Sequence, residues 1–111
     1  MVDESSIWVI ESPVTMVEGE AVAYSIDWQG ASNIDDASVS LTVYKNGEDV
    51  SSTVVDTEDN FVVNSNVLTL KKITAQSTDG GERYVVVVQA DVDGNTERRK
   101  LLIRIVKDEA E

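Results

Sequence analysis

The chain has 111 residues, with 21 Asp and Glu against nine Lys and Arg, a formal net charge of −12, and neither cysteine nor histidine. Without cysteine there is no disulfide framework, thiolate nucleophile or thiolate metal site, and without histidine the usual general base and the commonest transition-metal ligand are gone. The acidic surface repels nucleic acid and anionic membranes at long range, and the length predicts a single domain over 1–111 with its own core and frayed ends at about 1–5 and 108–111.

The chain begins Met1-Val2-Asp3-Glu4, already acidic, and shows no secretion-signal pattern. No apolar run approaches the roughly 20 residues that span a bilayer. The sequence therefore predicts a soluble protein made in the cytosol. Residues 7–10 and 14–17 are short strand-like pieces separated by Ser12-Pro13, the single proline. A proline cannot donate to a ladder, so this is predicted to be a kinked edge strand. Residues 21–28 alternate, with Val22, Tyr24, Ile26 and Trp28 on the buried face and Ala23, Ser25 and Asp27 on the other.

Gly30, Asn33, Asp35 and Asp36 mark residues 29–37 as a loop. Val39, Leu41 and Val43 then alternate with Ser40, Thr42 and Tyr44, and Asn46-Gly47 predicts a tight hairpin with a short return strand over 48–51. Val54, Val55 and residues 61–63 are brief strand candidates. Val67, Leu68 and Leu70 lead into Lys71-Lys72-Ile73 as a further strand. One helical turn is predicted near residues 74–78, because no stretch carries apolar spacing of three and four over ten residues.

Residues 81–106 hold the most strongly patterned pair of strands, two β-branched runs joined at Asp93-Gly94, which supply the positive φ of a tight turn. Tyr84, Val86, Val88 and Ala90 share one face, and Val85, Val87, Gln89 and Asp91 the other. On the return strand Leu101, Ile103 and Ile105 oppose Lys100, Leu102, Arg104 and Val106. A lone hairpin is marginal in water, so other strands must pack on it. The fold class is all-β, an antiparallel sandwich or barrel of short strands.

From Leu41 onward the string resembles an immunoglobulin-like domain of the intermediate set. The matching pieces are VYKNGEDV (43–50), like that family's C to C′ hairpin; VLTLKKI (67–73), like its E strand; and GERYVVVVQADVDGNTE (81–97), like its F strand and FG turn. The resemblance implies an immunoglobulin-like antiparallel β-sandwich of 7–9 strands, with Tyr84 as a tyrosine corner whose hydroxyl bonds back to upstream backbone. Val86 stands where that family has cysteine and Val43 where it has its core tryptophan, so a fibronectin-III-like or bacterial immunoglobulin-like variant stays open. Trp28 is the candidate displaced tryptophan and needs an acceptor for its N–H.

Small, acidic, cysteine-free domains of this kind look like structural proteins of tailed bacteriophages. The resemblance implies a non-enzymatic virion module, a capsid decoration or a head-tail or tail accessory. Its partners would be other virion proteins or copies of itself, with no nucleic acid, membrane, small-molecule substrate or cofactor. The alternative is a cell-surface adhesion or carbohydrate-binding module that depends on Ca²⁺.

For that alternative, Asp35-Asp36 and Asp56, Glu58 and Asp59 would have to meet in one site; solvated acidic loops are the simpler reading. The run from Asp91 to Glu97 begins like an EF-hand loop, but Thr96 stands where glycine is needed and Leu102 where the closing glutamate is needed. No catalytic or metal residues are therefore assigned. Gly80-Gly81 is a turn, lacking the lysine of a phosphate-binding loop.

Five of the nine cations, Arg98, Arg99, Lys100, Arg104 and Lys107, fall in the last fourteen residues. They read either as charges that blunt a strand against edge pairing or as a seam for an acidic partner. If Tyr84, Val86 and Val88 face inward, then Val85, Val87 and Leu102 face outward and Tyr44 joins them. The expected interface is Tyr44, Val85, Val87 and Leu102 with Arg98, Arg99, Lys100 and Arg104 around them; burial of the same face under residues 7–10 is the competing expectation.

Overall fold

The structure is a computed structural model that describes residues 13–28 and 30–107. In chain order it contains β1 (Val14–Val17), β2 (Ala21–Val22), β3 (Ser25–Asp27), β4 (Ile34–Lys45), β5 (Glu48–Asp49), α1 (Ser51–Val54), β6 (Val62–Asn64), β7 (Val67–Thr69), β8 (Ile73–Thr74), β9 (Arg83–Val92) and β10 (Asn95–Val106). One layer is a five-stranded sheet in the order β1-β10-β9-β4-β5. The facing layer holds β3-β7-β6 and β2-β8. Leu70 N–H donates to Tyr24 O at 2.7 Å and Ala75 N–H to Glu20 O at 2.9 Å, so these two pieces form one interrupted ladder. With β2/β3 and β7/β8 each taken as one broken strand, the ten segments amount to eight strands. This strand order is an immunoglobulin-like β-sandwich.

The β9–β10 hairpin organises the larger sheet. Asp93 and Gly94 take φ values of 51° and 84°, the mirror-image turn whose twist matches that of the strands it joins. The turn pairs Val92 with Asn95 and sets every later pair, down to Arg83 opposite Arg104. The period-2 pattern then does the sorting. Tyr84, Val86, Val88, Ala90, Leu101, Ile103 and Ile105 are buried against Ile26, Leu68, Leu70 and Ile73 of the facing layer, with Val22 half-buried beside them. Each large aliphatic side chain so buried stabilises by about 1.5–3 kcal/mol. Asn46-Gly47 forms a second turn of the same kind, with φ of 53° and 80°.

Five expectations need correction. Residues 34–37 are strand, because β4 starts at Ile34, opposite Val92, and bulges between Asp35 and Ser40 to regain register with β9. That bulge is held by Ala37 N–H on Asp35 Oδ1 (3.1 Å) and by Ser38 Oγ, which donates to Asp35 O (2.6 Å) and accepts from Asp91 N–H (2.8 Å). The helical turn lies at Ser51–Val54 and not at 74–78, where β8 and a turn are found. There Asp49 Oδ1 accepts from Ser51 N–H (2.9 Å), Ser51 Oγ accepts from Val43 N–H (2.8 Å) and Val54 is buried, which ends the return strand at Asp49. Val54 is thereby helical, and Val55 makes only an isolated bridge to Ile73. Finally, β1 pairs parallel to β10, from Val14 on Ile103 to Val17 on Val106, in an otherwise antiparallel assembly. Residues 7–10 lie outside the described residues. No described helix is long and apolar enough to cross a membrane.

Candidate protein interface

The outward face of the five-stranded sheet is built by register. Leu102 pairs with Val85 and Val85 with Tyr44, so these three side chains form one row across β10, β9 and β4. Lys100, Val87 and Thr42 form the next row, and Arg98, Gln89 and Ser40 the one beyond. Val85, Val87 and Leu102 are half-buried and Tyr44 is 37% exposed. The structure therefore brings Tyr44, Val85, Val87, Leu102, Arg98, Lys100 and Arg104 together on one face. Val17 and Val106, paired at its lower margin, extend the apolar surface, with Val106 at 41% exposure. The Arg98 guanidinium donates to Gln89 Oε1 at 2.8 Å, which lays it along the sheet.

Arg99 does not join this face. Odd-numbered positions of β10 point into the sandwich, and near the end of the strand that direction places the Arg99 guanidinium over the Trp28 ring, 4.9 Å from its centroid. Arg99 also pairs with Glu97 at 3.2 Å. Glu97 in turn accepts from the Trp28 indole N–H at 2.9 Å, so the buried tryptophan has the acceptor it needs. Trp28, Glu97 and Arg99, with Gly30, Ala31, Val92 and Asp93, line an open cleft of about 120 Å³ at this end. The Asp93 carboxylate fixes its rim, accepting from Ser32 N–H (3.1 Å) and Asn33 N–H (2.8 Å).

Arg83 is absent from the interface expected on sequence grounds. It precedes Tyr84, so alternation puts it outward, and counting back from the Val92–Asn95 pair puts it opposite Arg104. Both signals are present in the chain.

At the other end, Asp79 is the one buried charged residue among the described residues, at 4% exposure. It accepts from the Tyr84 hydroxyl and lies 2.9 Å from Lys45 Nζ. Tyr84 Oη also accepts from Gln76 N–H at 3.2 Å, the upstream backbone contact expected of a tyrosine corner. Burial, then the hydrogen bond to Asp79, pushes the Tyr84 hydroxyl up to about 12. Burial would raise Asp79, but the hydrogen bonds from Tyr84 and Lys45 and the lysine charge outweigh it and hold the carboxyl below its ordinary value. Lys45 is raised, first by its hydrogen bond to Asp79 and then by that carboxylate's charge.

The acidic loops stay apart. Asp35 faces Asp91 on the larger sheet, while Asp56 Oδ1 accepts from Glu58 N–H (3.0 Å) and Asp59 Oδ2 from Lys72 N–H (2.9 Å). Among the described residues no three His, Cys, Asp or Glu side chains group as a metal-binding set.

No protein-family model matches the chain, and no curated protein is similar to it. Among solved structures it is similar to a point-mutant complex of titin M10 with an obscurin-like 1 immunoglobulin domain. The identity is 17%, with 89% of each chain covered and a TM-score of 0.49. The complex of titin M10 with the obscurin-like 1 domain in space group P1 gives 17% identity, 89% and 90% coverage and a TM-score of 0.48. A chimeric titin Z1Z2 carrying a decorin peptide gives 10%, 87% and 89%, and 0.47. At these values the architecture rests on the strand order itself.

Proposed function

We propose that this chain is a non-enzymatic, single-domain assembly module that binds neighbouring proteins through the outward face of its five-stranded sheet. The observation that carries the reading is the row Leu102–Val85–Tyr44 with Val87 in the row beside it, an apolar centre flanked by arginines. Interfaces gain most from such a centre, with charge at the rim setting orientation and encounter rate. The finer reading is a bacteriophage virion component, a capsid decoration or a head-tail or tail accessory made in the host cytoplasm. It is supported by the small, acidic, cysteine-free composition. The partners are other virion proteins or copies of the chain itself.

The test is Val87→Glu. Val87 is half-buried on the outward side and belongs to no core contact, so the variant is expected to fold with a melting temperature within a few degrees of the parent. A carboxylate desolvated at the centre of the contact is expected to abolish incorporation into particles, read by co-sedimentation. Normal incorporation would remove this face from consideration.

A further inference from the structure

Along the β9–β10 ladder Arg83 stands directly opposite Arg104, with Thr15 of β1 completing the row. Both arginines are exposed. The ion pairs among the described residues are Lys45–Asp79 and Arg99–Glu97, and neither includes them. Directly opposed side chains in an antiparallel pair have Cβ atoms about 4.5–5.5 Å apart, and like charges there destabilise the sheet. A chain with 21 carboxylates thus sets two guanidiniums against each other with no described carboxylate between them. The arrangement is unfavourable in the free domain and becomes favourable once an anion sits between the two forks, each of which matches a carboxylate bidentately.

The neighbouring row decides what carries the anion. Leu102, Val85 and Tyr44 lie one step up the strands on the same face, so an anion held by the arginines has apolar surface next to it. A polyanion such as nucleic acid would meet the net charge of −12 around the site. A single acidic residue of a protein, with apolar neighbours in its own sequence, satisfies both rows at once.

We propose that Arg83 and Arg104 form a clamp for the carboxylate of an Asp or Glu side chain on a partner protein, whose flanking apolar residues pack on Val85, Leu102 and Tyr44. The proposal rests on the outward face being the interface and names the chemistry that face recognises. Arg98, tied to Gln89, and Arg99, stacked on Trp28, are not part of the clamp.

The test uses the full chain, isotope-labelled, with arginine Nε–H resonances followed while the peptide acetyl-Leu-Glu-Val-amide is added. Saturable shifts are expected at Arg83 and Arg104, with the peptide's glutamine counterpart at least about tenfold weaker. Equal response to the glutamine peptide would overturn the proposal, as would equal shifts at Arg98 and Arg99. So would inorganic phosphate binding as tightly as the glutamate peptide, which would mark a bare anion site. Arg104→Glu replaces the opposed like charges with an opposite pair and is expected to raise the melting temperature by about 2–6 °C while abolishing peptide binding. A lowered melting temperature would assign the pair a structural role instead. If Val87→Glu blocks incorporation into particles and Arg104→Glu does not, the clamp fails and the face stands; if Val87→Glu incorporates normally, both fail.

Discussion

Trp28→Ala is expected to reduce the unfolding free energy by about 3–5 kcal/mol, a large part of the stability of a domain this size. The indole is 2% exposed and closes the end of the core where β3 gives way to the loop before β4. Three losses coincide there. The core loses its largest aromatic group, Glu97 loses the N–H donor at 2.9 Å, and Arg99 loses the ring it stacks on at 4.9 Å. Because the cleft beside Trp28 is open, water can fill part of the space, which favours the lower half of that range. Chemical denaturation followed by circular dichroism reads the change. Trp28→Phe keeps most of the apolar area and removes the indole donor from Glu97, which retains Arg99, and is expected to cost about 1 kcal/mol. A cost near zero for the alanine variant would mean that the tryptophan caps the sandwich without belonging to its core.

Asp79→Ala is expected to cost about 2–4 kcal/mol, since truncating one member of a buried charged network strands the others. Tyr84 would keep a hydroxyl with no acceptor in a fully buried position, and Lys45 would lose the carboxylate at 2.9 Å. Lys45 reaches solvent, which keeps the figure below that of a fully enclosed pair. The network also sets a pH dependence. The folded Asp79 carboxyl lies below its ordinary value, so its contribution is present above about pH 4 and is lost as pH falls through the lowered folded value. Tyr84 works at the other limit. Its folded hydroxyl is pushed up to about 12, so from about pH 10 the unfolded chain gives up that proton while the folded chain keeps it, and stability declines across that interval. Tyr84→Phe is expected to reduce the alkaline decline, to which the raised Lys45 and Tyr24 also contribute, and Asp79→Ala the acid one, to which the lowered Asp49 and Asp59 also contribute, in melting curves taken as a function of pH.

The parts of the fold readable in the sequence are those fixed by local geometry. Asn46-Gly47 and Asp93-Gly94 demand positive φ and flank alternating runs, so both hairpins and the inward set on β9 and β10 follow from residue order alone. The outward row of Tyr44, Val85 and Leu102 follows from the same alternation. What stays hidden depends on partners distant in the chain. The β4 bulge is held by Ser38 reaching Asp91, and polar residues such as Asp35, Asp36 and Ser38 read locally as loop. The turn of helix at Ser51–Val54 is set by Asp49 and Ser51 side chains bonding to backbone, a local signal masked by the β-branched neighbours Val50, Thr53 and Val54. Arg99 sits in a run with Arg98 and Lys100 and groups with them by composition, although one step along a strand reverses the side of the sheet.

The parallel seam between β1 and β10 governs how the chain reaches its folded form. Val14 and Ile103 are separated by nearly the full length of the polypeptide. Every other ladder of the larger sheet joins strands closer in sequence and can zip from a turn or across a shorter loop, whereas this one closes the longest loop in the sheet. On the ribosome β1 is therefore synthesised well before the strand it pairs with, and folding through so distant a contact belongs to the millisecond-to-second regime of β-sandwiches.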